Sequence, residues 1–76
     1  MDIKDFIKNL ADLYEDVDVK EFSPETEFKN FEEWSSLISL SIVAMAEDEY
    51  GVTLKGDDIR NANTVQELFD IVKSKA

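Results

Sequence analysis

The sequence predicts an all-α fold: a small four-helix bundle, three main helices plus one short helix, with a long loop after helix one. Three observations predict it. Apolar residues recur at helical spacing near both ends of the chain; an apolar run in the middle is bounded by serine on one side and glycine on the other; and apolar residues make up 43% of the chain against 34% charged, a balance that buries a core and rules out a disordered tail. The 76 residues are expected to form a single domain, 1–76. A domain of this size buries only about 60% of its unfolded surface, so it has one core and no interior catalytic cavity. Function is expected near the surface.

The first helix is expected from Asp2 to about Tyr14. Ile3, Phe6, Ile7, Leu10, Leu13 and Tyr14 follow the i, i+3, i+4, i+7 spacing. Asp2 and Asp5 stand in its first turn, where the helix dipole favours negative charge. From Glu15 to Ser35 the periodicity stops. Pro24 interrupts any helix there, and Val17, Val19, Phe22, Phe28, Phe31 and Trp34 recur irregularly among charges. The expectation is a loop pinned to the core by its aromatic residues, with one short helical turn. Asp16, Asp18 and Glu27 occupy the first, third and twelfth positions of a calcium-loop template. The template fails at Lys20, where a ligand oxygen is required, and at Glu21, where glycine is required.

The second helix is expected from Ser36 or Leu37 to Tyr50. Ser35 is its N-cap and Gly51 the left-handed residue just past its end. Apolar residues from Leu37 to Ala46 go most of the way round it. Either one face packs inward while another meets a partner or a tethered ligand, or both faces pack, one of them under the aromatic loop. Gly51 to Leu54 reads as an extended link and Gly56 as a turn. A helical piece of one or two turns follows at Asp57–Asn61, with Asp57 as a possible cap. Thr64-Val65-Gln66-Glu67 is a capping box that opens the last helix, whose inward stripe is Val65, Leu68, Phe69 and Val72, with Ile71 at the margin. Lys73 and Lys75 suit its C-terminus.

Charge and composition then narrow the function. The net charge of −10 repels nucleic acid and anionic membranes and attracts basic protein surfaces. With neither cysteine nor histidine, disulfides, thiolate chemistry, thiolate or imidazole metal sites and the usual base near neutral pH are all absent. A non-catalytic protein is expected. The N-terminus is acidic and amphipathic rather than basic and then apolar, and no apolar run approaches a membrane span, so a cytoplasmic location is expected. Within Glu33-Trp34-Ser35-Ser36-Leu37-Ile38-Ser39-Leu40, a serine stands where the acidic loop gives way to the apolar helix. The unpaired N–H groups and positive dipole of a helix start favour a phosphate there.

Several motifs, in order and spacing, resemble the acyl carrier protein family over nearly the whole chain. They are Thr26-Glu27-Phe28 in the loop, Ser36-Leu37 opening the second helix, Glu47-Asp48-Glu49-Tyr50-Gly51-Val52 at its end, and Asn63-Thr64-Val65-Gln66-Glu67-Leu68. The resemblance implies that Ser36 carries a 4′-phosphopantetheine arm, transferred from coenzyme A by a phosphopantetheinyl transferase that uses magnesium. The arm's thiol would hold acyl, aminoacyl or ketide intermediates as thioesters. Partners would be acyltransferase, ligase and synthase enzymes with basic docking patches, serving fatty-acid, polyketide or related synthesis, and the carrier would be a monomer. Leu37, Leu40, Ser41, Ala44, Glu47 and Asp48 would face partners. Ser39, Ile42, Val43, Ala46 and Tyr50 would face the core and any enclosed acyl chain.

The chain departs from the family in two places. Ser35 stands where the family signature has aspartate, replacing its capping role but not its charge. Ile38 and Ser41 occupy positions on the second helix where fatty-acid-synthesis carriers often show acids, which, with Trp34, implies a carrier serving its own specialised enzymes. The competing expectation is a carrier-like acidic interaction domain that is never modified and binds a basic protein partner.

Overall fold

The computed structural model describes residues 2–76. Four helices follow one another, α1 (Ile3–Ala11), α2 (Ser36–Tyr50), α3 (Gly56–Asn61) and α4 (Val65–Lys75), with no strand among the described residues. They enclose one apolar core in which Phe6, Leu10, Phe28, Ile42, Leu68 and Val72 are fully buried. The four-helix bundle with a long loop after its first helix is thus the observed fold.

Helix α1 starts where expected, with the Asp2 carboxylate accepting from the Lys4 N–H at 3.0 Å. It ends earlier, at Ala11 rather than near Tyr14. The N–H groups of Leu13 and Tyr14 bond the carbonyls of Leu10 and Ala11, three residues back, at 3.1 and 3.0 Å. This tighter winding turns the Tyr14 ring into the loop, where it lies 5.2 Å from the Phe22 ring and 5.5 Å from that of Phe31. Its buried hydroxyl donates to the Phe28 carbonyl at 2.6 Å.

Burial, and secondarily the charge of Glu33, pushes the Tyr14 phenol above its ordinary range. A raised folded pKa contributes stability that is complete below the unfolded value of about 10 and is lost as pH rises past it. Tyr14→Phe deprives a buried carbonyl of its donor and is expected to cost about 1–3 kcal/mol at neutral pH. Above a pH of about 10 the gap between wild type and variant is expected to narrow. Urea midpoints of both proteins across that range check it; a gap that widens with pH contradicts it.

The loop is pinned as its aromatic residues imply. Phe22 and Phe31 pack at 5.1 Å, Trp34 stands edge-on to Phe28 at 5.7 Å, and the one helical turn is a short 3₁₀ segment at Val19–Glu21. Asp18 and Glu21 cap that turn reciprocally: Asp18 accepts from the Lys20 N–H and Glu21 from the Asp18 N–H, each at 3.0 Å. No group of carboxylates suited to a metal occurs among the described residues. Loop carbonyls also serve α4, since Thr26 and Pro24 accept from the Val65 and Gln66 N–H groups, both at 2.9 Å. Those are N–H groups that a helix start leaves without intrahelical partners. The length of the loop is therefore used to close the far end of the bundle.

Helix α2 runs from Ser36 to Tyr50 and stops at Gly51, whose φ of +64° is left-handed. The N–H groups of Gly51 and Val52 return to Glu47 and Ala46, and Val52 itself is buried. Helix α3 differs from expectation. Gly56 is its first residue rather than a turn, Lys55 is the N-cap, and Asp57 does not cap it. The Asp58 carboxylate, one turn inside, reaches back to the Lys55 N–H at 2.9 Å, and this bond above all holds its pKa below the usual range. Asp57 instead meets Arg60 at 2.7 Å in an exposed pair that adds little stability. At the other end of α3 the Lys29 ammonium donates to the carbonyls of Ile59 and Arg60, at 2.9 and 3.1 Å. The loop thereby satisfies the C-terminus of this short helix.

Helix α4 opens with the capping box. Thr64 Oγ1 accepts from the Glu67 N–H at 3.2 Å, and Glu67 Oε1 accepts from Asn63 and Thr64 at 2.8 and 3.0 Å. These backbone donors lower the Glu67 pKa. Val65, Leu68, Phe69 and Val72 are buried and Ile71 is half-buried at the margin.

Candidate functional site

Ser36 is the first residue of α2 and is exposed. Its neighbour Ser35 is the N-cap, with Oγ accepting from the Ile38 N–H at 3.5 Å. The two hydroxyls thus have different work: one is directed at the helix backbone, the other has no hydrogen-bond partner among the described residues. At the position the family gives to aspartate, the cap is uncharged and long. The first turn of α2 holds no acid at all.

Two contacts hold the segment leading into Ser36. Glu33 reaches back to the start of the loop after α1, its Oε2 and Oε1 accepting from the N–H groups of Glu15 and Asp16 at 2.6 and 2.8 Å. Trp34, half-buried, rests on Phe28. The backbone leading into Ser36 is therefore held by groups outside α2. Nothing in the motif containing Ser36 revealed the Glu33 clasp, because its partners lie about eighteen positions away and are backbone atoms.

The expected partner-facing residues lie along one stripe of α2. Leu37 and Leu40 are 72% and 67% exposed, Ala44, Glu47 and Asp48 are exposed, and Ser41 is half-buried with its hydroxyl donating to the Leu37 carbonyl at 3.0 Å. Among the residues expected to face the core, Ile42 and Ala46 are fully buried, whereas Ser39, Val43 and Tyr50 are half-buried. Asn9 on α1 donates to the Tyr50 hydroxyl at 3.0 Å. Ile38, at one of the two positions where fatty-acid-synthesis carriers often show acids, is only 6% exposed, because its spacing to Ile42 and Met45 puts all three on the inward stripe. Of the two alternatives for α2, an apolar face left outside the bundle is the one observed.

Beside Ser36 a groove of about 430 Å³ opens between α2 and α3, lined by Lys29, Trp34, Ser39, Ile59 and Arg60 among others. The only charged side chains in its lining are the two cations, in a chain with 18 acids. An anionic ester on the Ser36 oxygen would meet helix N–H groups and a positive dipole end, beside a groove lined by Lys29, whose ammonium bonds the Ile59 and Arg60 carbonyls, and by Arg60, which pairs with Asp57. These residues fit a phosphodiester.

A family model described as "Phosphopantetheine attachment site" matches residues 5–72. The chain belongs to the acyl carrier protein family. Among curated relatives, proteins named "Acyl carrier protein" from Myxococcus xanthus and from Micrococcus luteus are each 28% identical over 72 residues, covering 91% of this chain and 91% and 89% of theirs. No solved structure matches it significantly. As a member of this family the chain is a non-catalytic carrier domain. No described helix is long and apolar enough to cross a membrane.

Proposed function

We propose that this acyl carrier protein is loaded at Ser36 with 4′-phosphopantetheine from coenzyme A and presents thioester-bound intermediates to enzymes of fatty-acid, polyketide or related synthesis, as a cytoplasmic monomer. The observation that carries the proposal is the unengaged Ser36 hydroxyl at the start of α2, next to a groove charged only by Lys29 and Arg60. When attached, the arm supplies a thiol that holds cargo through a thioester. The chain's own residues do the rest. Ser36 provides the oxygen, the N-terminus of α2 offsets the diester charge, and the Glu33 clasp keeps the serine presented to the modifying enzyme. Ser39 stands in the same groove, one turn further along the helix.

Intact-mass measurement of the protein from its own cell, and again after incubation with coenzyme A and a promiscuous transferase, tests this. A gain of one phosphopantetheine is the expected result. The uncharged cap at Ser35 favours the second reading, an acidic interaction domain that stays unmodified. Recovery of the bare polypeptide in both measurements would overturn the loading at Ser36 and favour that reading instead.

A further inference from the structure

The groove beside Ser36 meets the core at one residue. Of the described residues that line it, Ile59 on α3 alone is buried, at 3% exposed, and it belongs to the core cluster. Cargo passing inward from Ser36 would have to part α2 from α3 there, because a close-packed interior admits a chain only when an element moves. Helix α3 has six residues, too few to be stable by themselves. It is fastened from outside near each end. At its C-terminus the half-buried Lys29 ammonium donates to the Ile59 and Arg60 carbonyls at 2.9 and 3.1 Å, and it stands 5.7 Å from the centre of the fully buried Phe28 ring. Nearer its N-terminus Asp58 meets Lys75 of α4 at 3.3 Å. Within the core, the inward stripe of α2 through Ile42 and Ala46 runs on to Tyr50. The rings of Tyr50 and Phe69 flank Phe6 at 6.0 and 5.5 Å, and Asn9 holds the Tyr50 hydroxyl.

We propose that Lys29 is the specificity-determining residue of the carrier: by fastening α3 it closes the core to thioester-bound chains, so that the cargo is a short, polar acyl group that stays outside the bundle. The cargo class rests on the carrier reading; the fastening of α3 does not. Opening the core would strip the Ile59 and Arg60 carbonyls of the ammonium that satisfies them, at the C-terminus of a helix with no other means of holding it. An alkyl chain kept out of the core gives up the burial that each of its methylenes would gain there. A hydroxyacyl or aminoacyl group gives up little, since its polar atoms stay hydrated, and the groove it meets is lined by the polar side chains of Ser39, Lys29 and Arg60.

The experiment loads the isotopically labelled full chain with a promiscuous transferase, from octanoyl-coenzyme A and separately from 3-hydroxybutyryl-coenzyme A, and compares the two forms by amide NMR. Their spectra are expected to differ only around the groove, at Trp34, Ser39 and Gly56. Differences at Ile42, Ala46 or Leu68, inside the core, would overturn the proposal. Lys29→Met keeps an apolar stem beside Phe28 and removes the donor, whereas Lys29→Arg keeps a donor. In the bare chain Lys29→Met is expected to speed amide exchange at Arg60, Asn61 and Ala62 at least about tenfold, as the loss of a charge-assisted bond implies, with Lys29→Arg restoring most of the protection. Octanoyl-loaded Lys29→Met is expected to shift the core amides that stay still in the wild type. Unchanged exchange, or core amides in the loaded variant that match the wild type, would remove Lys29 from the role. Should Lys29→Met fail to fold, the wild-type comparison still decides whether the core is closed. Absence of the arm in every sample sinks the carrier reading and leaves amide exchange to decide the fastening of α3.

Discussion

Ser36→Ala is expected to abolish phosphopantetheine uptake completely, while Ser35→Ala is expected to retain it at a reduced rate. The first substitution removes the only oxygen that could form the ester at this position, and no geometry compensates for a missing nucleophile. The second removes an N-cap, at a cost of about 1 kcal/mol, and frays the turn on which Ser36 sits. Ser35→Asp is expected to raise the rate above wild type. A carboxylate at the N-cap accepts the Ile38 N–H more strongly than a hydroxyl at 3.5 Å and complements the positive end of α2. Intact mass against time, with coenzyme A and one transferase, reads all three. If the arm attaches to Ser36→Ala and not to Ser35→Ala, the site is Ser35 and the roles of the two hydroxyls are reversed.

Phe6→Ala is expected to cost about 3–5 kcal/mol, the range for emptying a fully buried aromatic site. Phe6 is 0% exposed and joins three helices, its ring 5.5 Å from Phe69 on α4 and 6.0 Å from Tyr50 on α2. A single core in a chain this short rarely supplies more than about 5 kcal/mol of net stability, so the variant should lose most or all of its cooperative unfolding transition. Phe6→Leu, which keeps most of the volume, is expected to cost less than about 2 kcal/mol. Urea denaturation of the three proteins decides it. A shift in Phe6→Ala worth less than about 1 kcal/mol would mean that the bundle closes over the gap and that Phe6 is not its central tie.

Much of this protein is legible because the signals are local. The Thr64–Glu67 capping box, the Gly51 stop and the inward stripe of α4 all act within four or five residues, and each is where periodicity and cap chemistry place it. Helix α3 is the informative miss. Asp57 looks like a cap by proximity, yet Asp58 does the capping by reaching back to Lys55, a choice that depends on where the helix begins, and that in turn on Ile59 being buried. The early end of α1 has a similar origin, since the Tyr14 hydroxyl finds its acceptor on Phe28, fourteen residues along the chain.

Helix α2 shows where the order of residues stops being sufficient. Its apolar side chains go most of the way round, so periodicity alone assigns neither an inner nor an outer face. Packing against α1 and the rest of the core makes Ile38, Ile42, Met45 and Ala46 the inner one and leaves Leu37 and Leu40 in solvent. The sequence by itself determined the helical class, the caps of α2 and α4 and the serine that begins α2, because those depend on contacts made within a turn. Only the tertiary structure decided which apolar face stays outside, what clasps Glu33, and that Lys29 and Arg60 line the groove beside Ser36. Those depend on distant segments brought together by burial, and a charge acts on whatever lies within a few ångströms of it in space, however far apart the two stand along the chain.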